Sequence, residues 1–176
     1  IIDPETDLPV PPNTQGELCV RGYAIMEGYY KKPKETAEAV DQDGWLHTGD
    51  VATLRDDGYL RFFGRYKDML KVGGENVDPI EVEAFLINHP SIKRVQIVGV
   101  PDLRLSEVPC ACIILEEGCQ LTQIDIDTFC RGKLASFKIP RSVLILTDYP
   151  MTSSGKVQKY LLRERAQSSM GSINVQ

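Results

Sequence analysis

The chain has 176 residues, 42% hydrophobic and 26% charged, with a net charge of -5. That composition excludes a disordered polymer and suffices for one good core or two small ones. Interspersed charges with a negative sum argue against a nucleic-acid surface, and no apolar run approaches the roughly 18 residues of a membrane helix.

Ile1 is not a methionine and no targeting segment precedes it, so the chain reads as the end of something longer. Pro4, Pro9, Pro11 and Pro12 punctuate the first residues, and GELCVRG follows with Leu18 and Val20 in strand alternation. Pro33 and KETAEAV predict a short helix. Asp43-Gly44 turns into WLHTGD, and Asp57-Gly58 separates VATLR from YLRFFGR, which predicts a hairpin. Residues 1–67 therefore read as a small β-rich unit.

From Asp68 the pattern changes. DMLKV and ENV flank Gly73-Gly74, and Asp78-Pro79 opens a helix with an expected apolar face of Ile80, Val82, Ala84, Phe85 and Ile87. RVQIVGV and PCACIILEE are buried strands, a second helix is expected over 124–135, RSVLIL is a third strand, and VQKYLLRERA a final helix. The fold class is α+β: a β-rich subdomain, a hinge, and a compact three-stranded sheet with helices over 68–165. Residues 166–176 read as a disordered tail.

Cys19, Cys110, Cys112, Cys119 and Cys130 are odd in number and form no C-x-x-C pair, which favours reduced thiols inside a cell. Cys110 and Cys112 alternate with Ala111 and read as small buried hydrophobes sharing one face. No metal site is expected, because neither His47 nor His89 stands at ligand spacing from a cysteine.

The chemistry-bearing residues are individually weak signals. PMTSSGK, ending at Lys156, fails as a phosphate-binding P-loop because Pro150 and Val157 replace its Gly and its Ser or Thr. What remains is a mobile loop presenting a lysine, which alone reads as a solvated cation. Gly73-Gly74 alone is a hairpin turn. Asp50 could simply end a strand, and Arg65 could be an exposed cation.

Their joint order is more informative. GELCVRG with GYY, WLHTGD, GRYKDMLKVGGENVDPIEVE, VPD with SEVPCA, FKIPR and YPMTSSGKVQKYLL together resemble the adenylate-forming superfamily of acyl-CoA synthetases, luciferases and nonribosomal adenylation domains. The resemblance covers about residues 1–165, and IDTFCRGKLASFKIP inclines it towards medium-chain acyl-CoA synthetases. It implies ATP with Mg2+, CoA and a fatty acid as substrates of a longer enzyme, no tightly bound cofactor, and the missing N-terminal part of the same chain as partner. It further implies that Asp50 meets the ribose hydroxyls and Arg65 lies beside them. Lys71 and Asn76 would contact the adenylate, and Lys156 would bridge the acyl carboxylate and the α-phosphate. Asp68 would be the hinge that carries Gly73 and Gly74 to a CoA tunnel.

Two positions depart from the family pattern: Ser106 stands where relatives carry glycine, and Lys159 where many carry arginine. A mitochondrial matrix or cytoplasmic location fits the resemblance. A luciferase-like or aryl- or amino-acid-activating enzyme, and a non-catalytic interaction module, are the alternatives. The piece alone is expected to be inactive, because the ATP loop and acyl pocket would lie upstream of Ile1.

Overall fold

The structure, a computed structural model, describes residues 1–171. Its contacts divide the chain into two compact units, Ile1–Lys67 and a second beginning at Asp68. In the first unit, strand β1 (Gly16–Val20), helix α1 (Pro33–Ala39), β2 (Leu46–Leu54) and β3 (Leu60–Arg65) follow one another. The strands form an antiparallel sheet in the order β1-β2-β3. The Asp57-Gly58 turn joins β2 to β3, with Gly58 N–H donating to the Arg55 carbonyl at 2.9 Å. Val51, Ala52 and Thr53 of β2 are the buried centre of this sheet.

The second unit contains β4 (Leu70–Val72), β5 (Glu75–Val77), α2 (Pro79–Leu86), β6 (Ile92–Asp102), β7 (Ser106–Leu115), α3 (Gln123–Cys130), β8 (Ser142–Ile145) and α4 (Lys159–Gly171). Its sheet has five strands rather than the expected three, because the short β4–β5 hairpin joins it. β7 is central. It pairs antiparallel with β6 along its length, with β4 at Ser106, and in parallel with β8 from Cys110 to Ile113.

The consecutive residues Ile97, Val98, Gly99 and Val100 of β6, and Cys110 to Ile113 of β7, are buried. Such unbroken runs occur where both faces of a sheet are covered. Val82 and Leu86 of α2, Ile126 of α3 and Leu162 of α4 join them in one core. Each such side chain contributes roughly 1.5–3 kcal/mol by leaving water. Cys110 and Cys112 are inside this core, as their alternation suggested.

The helix starts follow local chemistry. Asp78 caps α2 by accepting from Ile80 N–H at 2.8 Å, ahead of Pro79 in the first turn. Thr122 and Asp125 form a capping box at α3. Three helices depart from expectation. The buried residues of α2 are Pro79, Val82 and Leu86, while Ile80 and Ile87 are exposed. α3 stops at Cys130 instead of continuing to residue 135, because Gly132 adopts φ +75° and the chain then turns into a 3₁₀ segment at Ser136–Lys138. At the other end, α4 extends to Gly171, so residues 166–171 are helical where a tail was expected. Residues 172–176 of that expected tail lie outside the described residues. Among the described residues no helix is long and apolar enough to cross a membrane.

Candidate functional site

Asp50 and Arg65 are direct partners across the β2–β3 pair. Arg65 Nε donates to Asp50 Oδ1 at 2.7 Å, and Arg65 Nη2 donates to the Thr48 carbonyl at 3.0 Å. The backbone beneath them is held just as firmly. Thr48 Oγ1 donates to the Leu18 carbonyl at 2.7 Å and accepts from Asp50 N–H at 3.1 Å. Gly49, at φ +70°, donates its N–H to Glu17 Oε1 at 2.9 Å.

The other Glu17 oxygen lies 3.1 Å from His47 Nδ1. That hydrogen bond raises the His47 pKa above the usual histidine value, against the opposing effect of burial. The result is a carboxylate on a fixed, irregular stretch of β2 with Arg65 engaging Oδ1, leaving Oδ2 outside that bond. An ionised, acceptor-only group so placed can receive hydroxyl donors. Because both side chains are partly exposed, the ion pair contributes orientation more than stability.

In the second unit, Lys71 and Asn76 face each other across β4–β5, and Gly73 and Gly74 form the turn between them at φ +59° and +91°. Those angles belong to the left-handed region in which a tight hairpin closes and an L side chain is strained. Gly73 N–H donates to the Leu105 carbonyl at 2.9 Å, and a Cβ at Gly73 would meet Leu105 Cδ2 at 2.9 Å. Around Gly74 the space is open.

Lys71 donates its backbone N–H to Glu107 Oε1 at 2.6 Å. Lys71, Gly99, Ser106, Glu107 and Arg163 border a shallow cavity of about 220 Å³. A Cβ at Gly99 would collide with the Glu107 carboxylate, so that glycine makes room for it.

Lys156 is carried by a turn that is more ordered than its Thr-Ser-Ser-Gly sequence suggested. Met151 and Val157 form a β-bridge, Thr152 N–H donates to the Lys156 carbonyl at 2.8 Å, and Lys156 N–H donates to Thr152 Oγ1 at 3.0 Å. Gly155 closes the turn at φ +80°. Among the described residues no hydrogen bond or ion pair holds the exposed Lys156 ammonium. Lys159, three residues on, is committed: its Nζ donates to Glu83 Oε1 at 2.9 Å. Glu83 also accepts from Ile97 N–H at 2.8 Å, so this pair ties α4 to α2 and β6. Lys159 is therefore a structural contact.

The positions that depart from the family pattern have a physical explanation at one site. Ser106 has φ +68°, a left-handed conformation where glycine carries no steric penalty. Sequence reasoning missed Glu17, Glu83 and Glu107. Each is a carboxylate within a largely apolar strand or helix segment, and that placement is the signal that marks a half-buried hydrogen-bond acceptor. Asp68 ends the 3₁₀ turn Tyr66–Asp68 and is the first residue of the second unit.

Residues 81–156 match the model of the AMP-binding enzyme C-terminal domain. The chain is 52% identical over 153 residues to the human "Medium-chain acyl-CoA ligase ACSF2, mitochondrial", a match covering 87% of this chain and 25% of that protein. It is 50% identical over 165 residues to the "Putative acyl-CoA synthetase YngI" of Bacillus subtilis, covering 94% and 30%. The ATP-bound crystal structure of MatB from Rhodopseudomonas palustris superimposes with a TM-score of 0.88 at 32% identity, covering 95% of this chain and 33% of that one. The chain thus spans a quarter to a third of the length of these relatives. With 51% identity recurring in a macaque relative of the same description, the chain contains an AMP-binding enzyme C-terminal domain and is close to acyl-CoA ligases over nearly all of its own length.

Proposed function

We propose that this chain is the C-terminal part of an ATP-dependent, AMP-forming acyl-CoA synthetase acting on a fatty acid. In the first half-reaction a carboxylate oxygen of the acid attacks the α-phosphorus of Mg-ATP and pyrophosphate leaves. In the second, the CoA sulfur attacks the acyl carbonyl carbon, AMP leaves, and the thiol proton passes to solvent. The observation that carries the reading is Lys156, an exposed and uncommitted ammonium on a hydrogen-bonded turn. The first step drives one anion against another, and such a cation offsets the charge that develops between them.

Asp50 would accept hydrogen bonds from the ribose hydroxyls, with Arg65 fixing its carboxylate. Lys71 and Asn76, paired on the hairpin, would contact the adenylate. Asp68 would absorb the rotation that exchanges Lys156 for the Gly73-Gly74 turn between the two half-reactions. Relatives named mitochondrial support a mitochondrial matrix location. The isolated chain would be inactive, since the phosphate loop and acyl pocket belong to the rest of the enzyme. The test is to measure both half-reactions in the full-length enzyme with Lys156→Ala, where adenylation should be lost and thioester formation from supplied acyl-adenylate retained. Loss of neither would refute the reading.

A further inference from the structure

Cys19 is the direct register partner of His47 across β1–β2. The pairing register shifts between Glu17 and Cys19, and across that irregularity Glu17, two residues earlier on β1, brings its Oε2 to 3.1 Å from His47 Nδ1. His47 is 28 and 30 positions from Cys19 and Glu17 along the chain, which is why no ligand spacing was visible in the sequence. We propose that Glu17, Cys19 and His47 form a binding site for one zinc-class divalent cation, with His47 ligating through Nδ1.

The distances fit. Nδ1 lies 3.6 Å from Cys19 Sγ and 3.1 Å from Glu17 Oε2, and one ligand atom from each residue lies within 4.8 Å of the others. A tetrahedral zinc with bonds of about 2.3 Å to sulfur and about 2.0–2.1 Å to nitrogen or oxygen sets N–S and N–O edges of about 3.5 and 3.3 Å. Two edges are therefore in place to within a few tenths of an ångström, and the third, between the Cys19 sulfur and the Glu17 oxygen, lies within 4.8 Å. The charges also balance: a thiolate, a carboxylate and a neutral imidazole neutralise a divalent ion. Ligation releases the thiol proton of Cys19 to solvent and also displaces the Nδ1 proton that His47 donates to Glu17, so that the neutral ring keeps its one proton on Nε2, towards Asp41.

The surroundings are those of a ligand set already aimed. His47 Nε2 lies 3.7 Å from Asp41 Oδ2, and Asp41 Oδ1 is itself fixed by the N–H groups of Asp43 and Trp45 at 2.9 and 2.8 Å. A carboxylate behind the second ring nitrogen orients metal-binding histidines. Glu17 Oε1 is taken by Gly49 N–H, and Oε2, hydrogen-bonded to His47 Nδ1, is the oxygen that the ion would draw away from that bond. The Glu17 and His47 side chains are 13% and 26% exposed, so an ion and a water in the fourth position can enter. The sulfur donor selects zinc or cobalt over magnesium. This inference does not depend on the proposed catalytic reading.

The test uses the reduced, metal-free chain titrated with Co(II) and then Zn(II). One equivalent of Co(II) should bind with a thiolate-to-metal charge-transfer absorption, be displaced by Zn(II) and resist Mg(II), and Zn(II) should raise Tm. Cys19→Ser should abolish the absorption, whereas Cys119→Ser, at the other partly exposed thiol, should retain it. His47→Gln and Glu17→Gln should each weaken Zn(II) binding at least tenfold, and Asp41→Asn about tenfold. Absence of the absorption in the parent, or its persistence in Cys19→Ser, overturns the site. If Cys19→Ser loses its circular dichroism, alkylation of the parent decides instead: Zn(II) should protect Cys19 by at least tenfold in rate, and equal rates with and without Zn(II) overturn the proposal.

Discussion

Arg65 reaches back across the β2–β3 pair and donates from Nε to Asp50 Oδ1 at 2.7 Å, while its Nη2 holds the Thr48 carbonyl. One guanidinium thereby fixes both the carboxylate and the stretch of β2 that carries it. If Asp50 serves the nucleotide, Arg65→Ala in the full-length enzyme should raise KM for ATP about tenfold. Thermal stability should fall by less than about 1 kcal/mol, because partly exposed ion pairs contribute little. Lysine cannot reproduce the two-point contact, so Arg65→Lys should recover only part of the loss. Steady-state kinetics beside a melting curve checks this.

The two glycines of the hairpin turn should respond differently. Gly73→Ala combines a left-handed φ with a contact to Leu105, and the neighbouring side chain must move. Gly74→Ala meets open space, so it carries the φ penalty alone, roughly 1–2 kcal/mol. Chemical denaturation of the chain should rank Gly73→Ala as the more destabilised. The double variant with Leu105→Ala should narrow the gap, relative to Leu105→Ala alone.

Ser106 sits in a conformation that glycine adopts freely. Ser106→Gly should therefore stabilise the second unit, by up to about 1 kcal/mol once the greater freedom of glycine in the unfolded chain is subtracted. Ser106→Val, β-branched at the same φ, should destabilise it. Denaturant midpoints measure both.

Asp125 accepts from both the N–H and the hydroxyl of Thr122 at 2.8 and 2.7 Å, and those bonds, the hydroxyl first, hold its carboxyl below the usual aspartate pKa. A carboxylate with a lowered folded-state pKa contributes stability that is fully present above the unfolded pKa of about 3.9 and is lost as pH falls through the folded value. Asp125→Asn should therefore be less stable than the parent at neutral pH, with the difference fading as pH drops below about 4. Urea unfolding at several pH values reads the convergence.

The long strands β6 and β7 and the Asp78-Pro79 start of α2 were legible in the sequence, because uninterrupted apolar runs and capping chemistry are local signals. The three-residue strands β4 and β5 were not, since three residues give no period and their membership of the sheet depends on pairing with β7. The buried face of α2 was misread for a related reason: tertiary packing selected Pro79, Val82 and Leu86 from a segment apolar on several sides. At the candidate site, motif order drew attention to Asp50, Arg65 and Lys156. The sequence did not reveal that Glu17 supports the Gly49 stretch of β2, or that Cys19 faces His47, because strand register brings together residues that are far apart in the chain.

The most direct test concerns Lys156. Its turn is pinned by Thr152 and Gly155, so Lys156→Ala should remove the ammonium without disturbing the backbone. The measurement pairs pyrophosphate exchange with thioester formation from isolated acyl-adenylate, on the same full-length Lys156→Ala enzyme. Exchange should fall at least about a hundredfold, the loss expected when a transition-state charge contact is removed, while thioester formation stays within about twofold of the parent. Exchange that persists near the parent rate, or an equal fall in both half-reactions, would contradict the role given to Lys156.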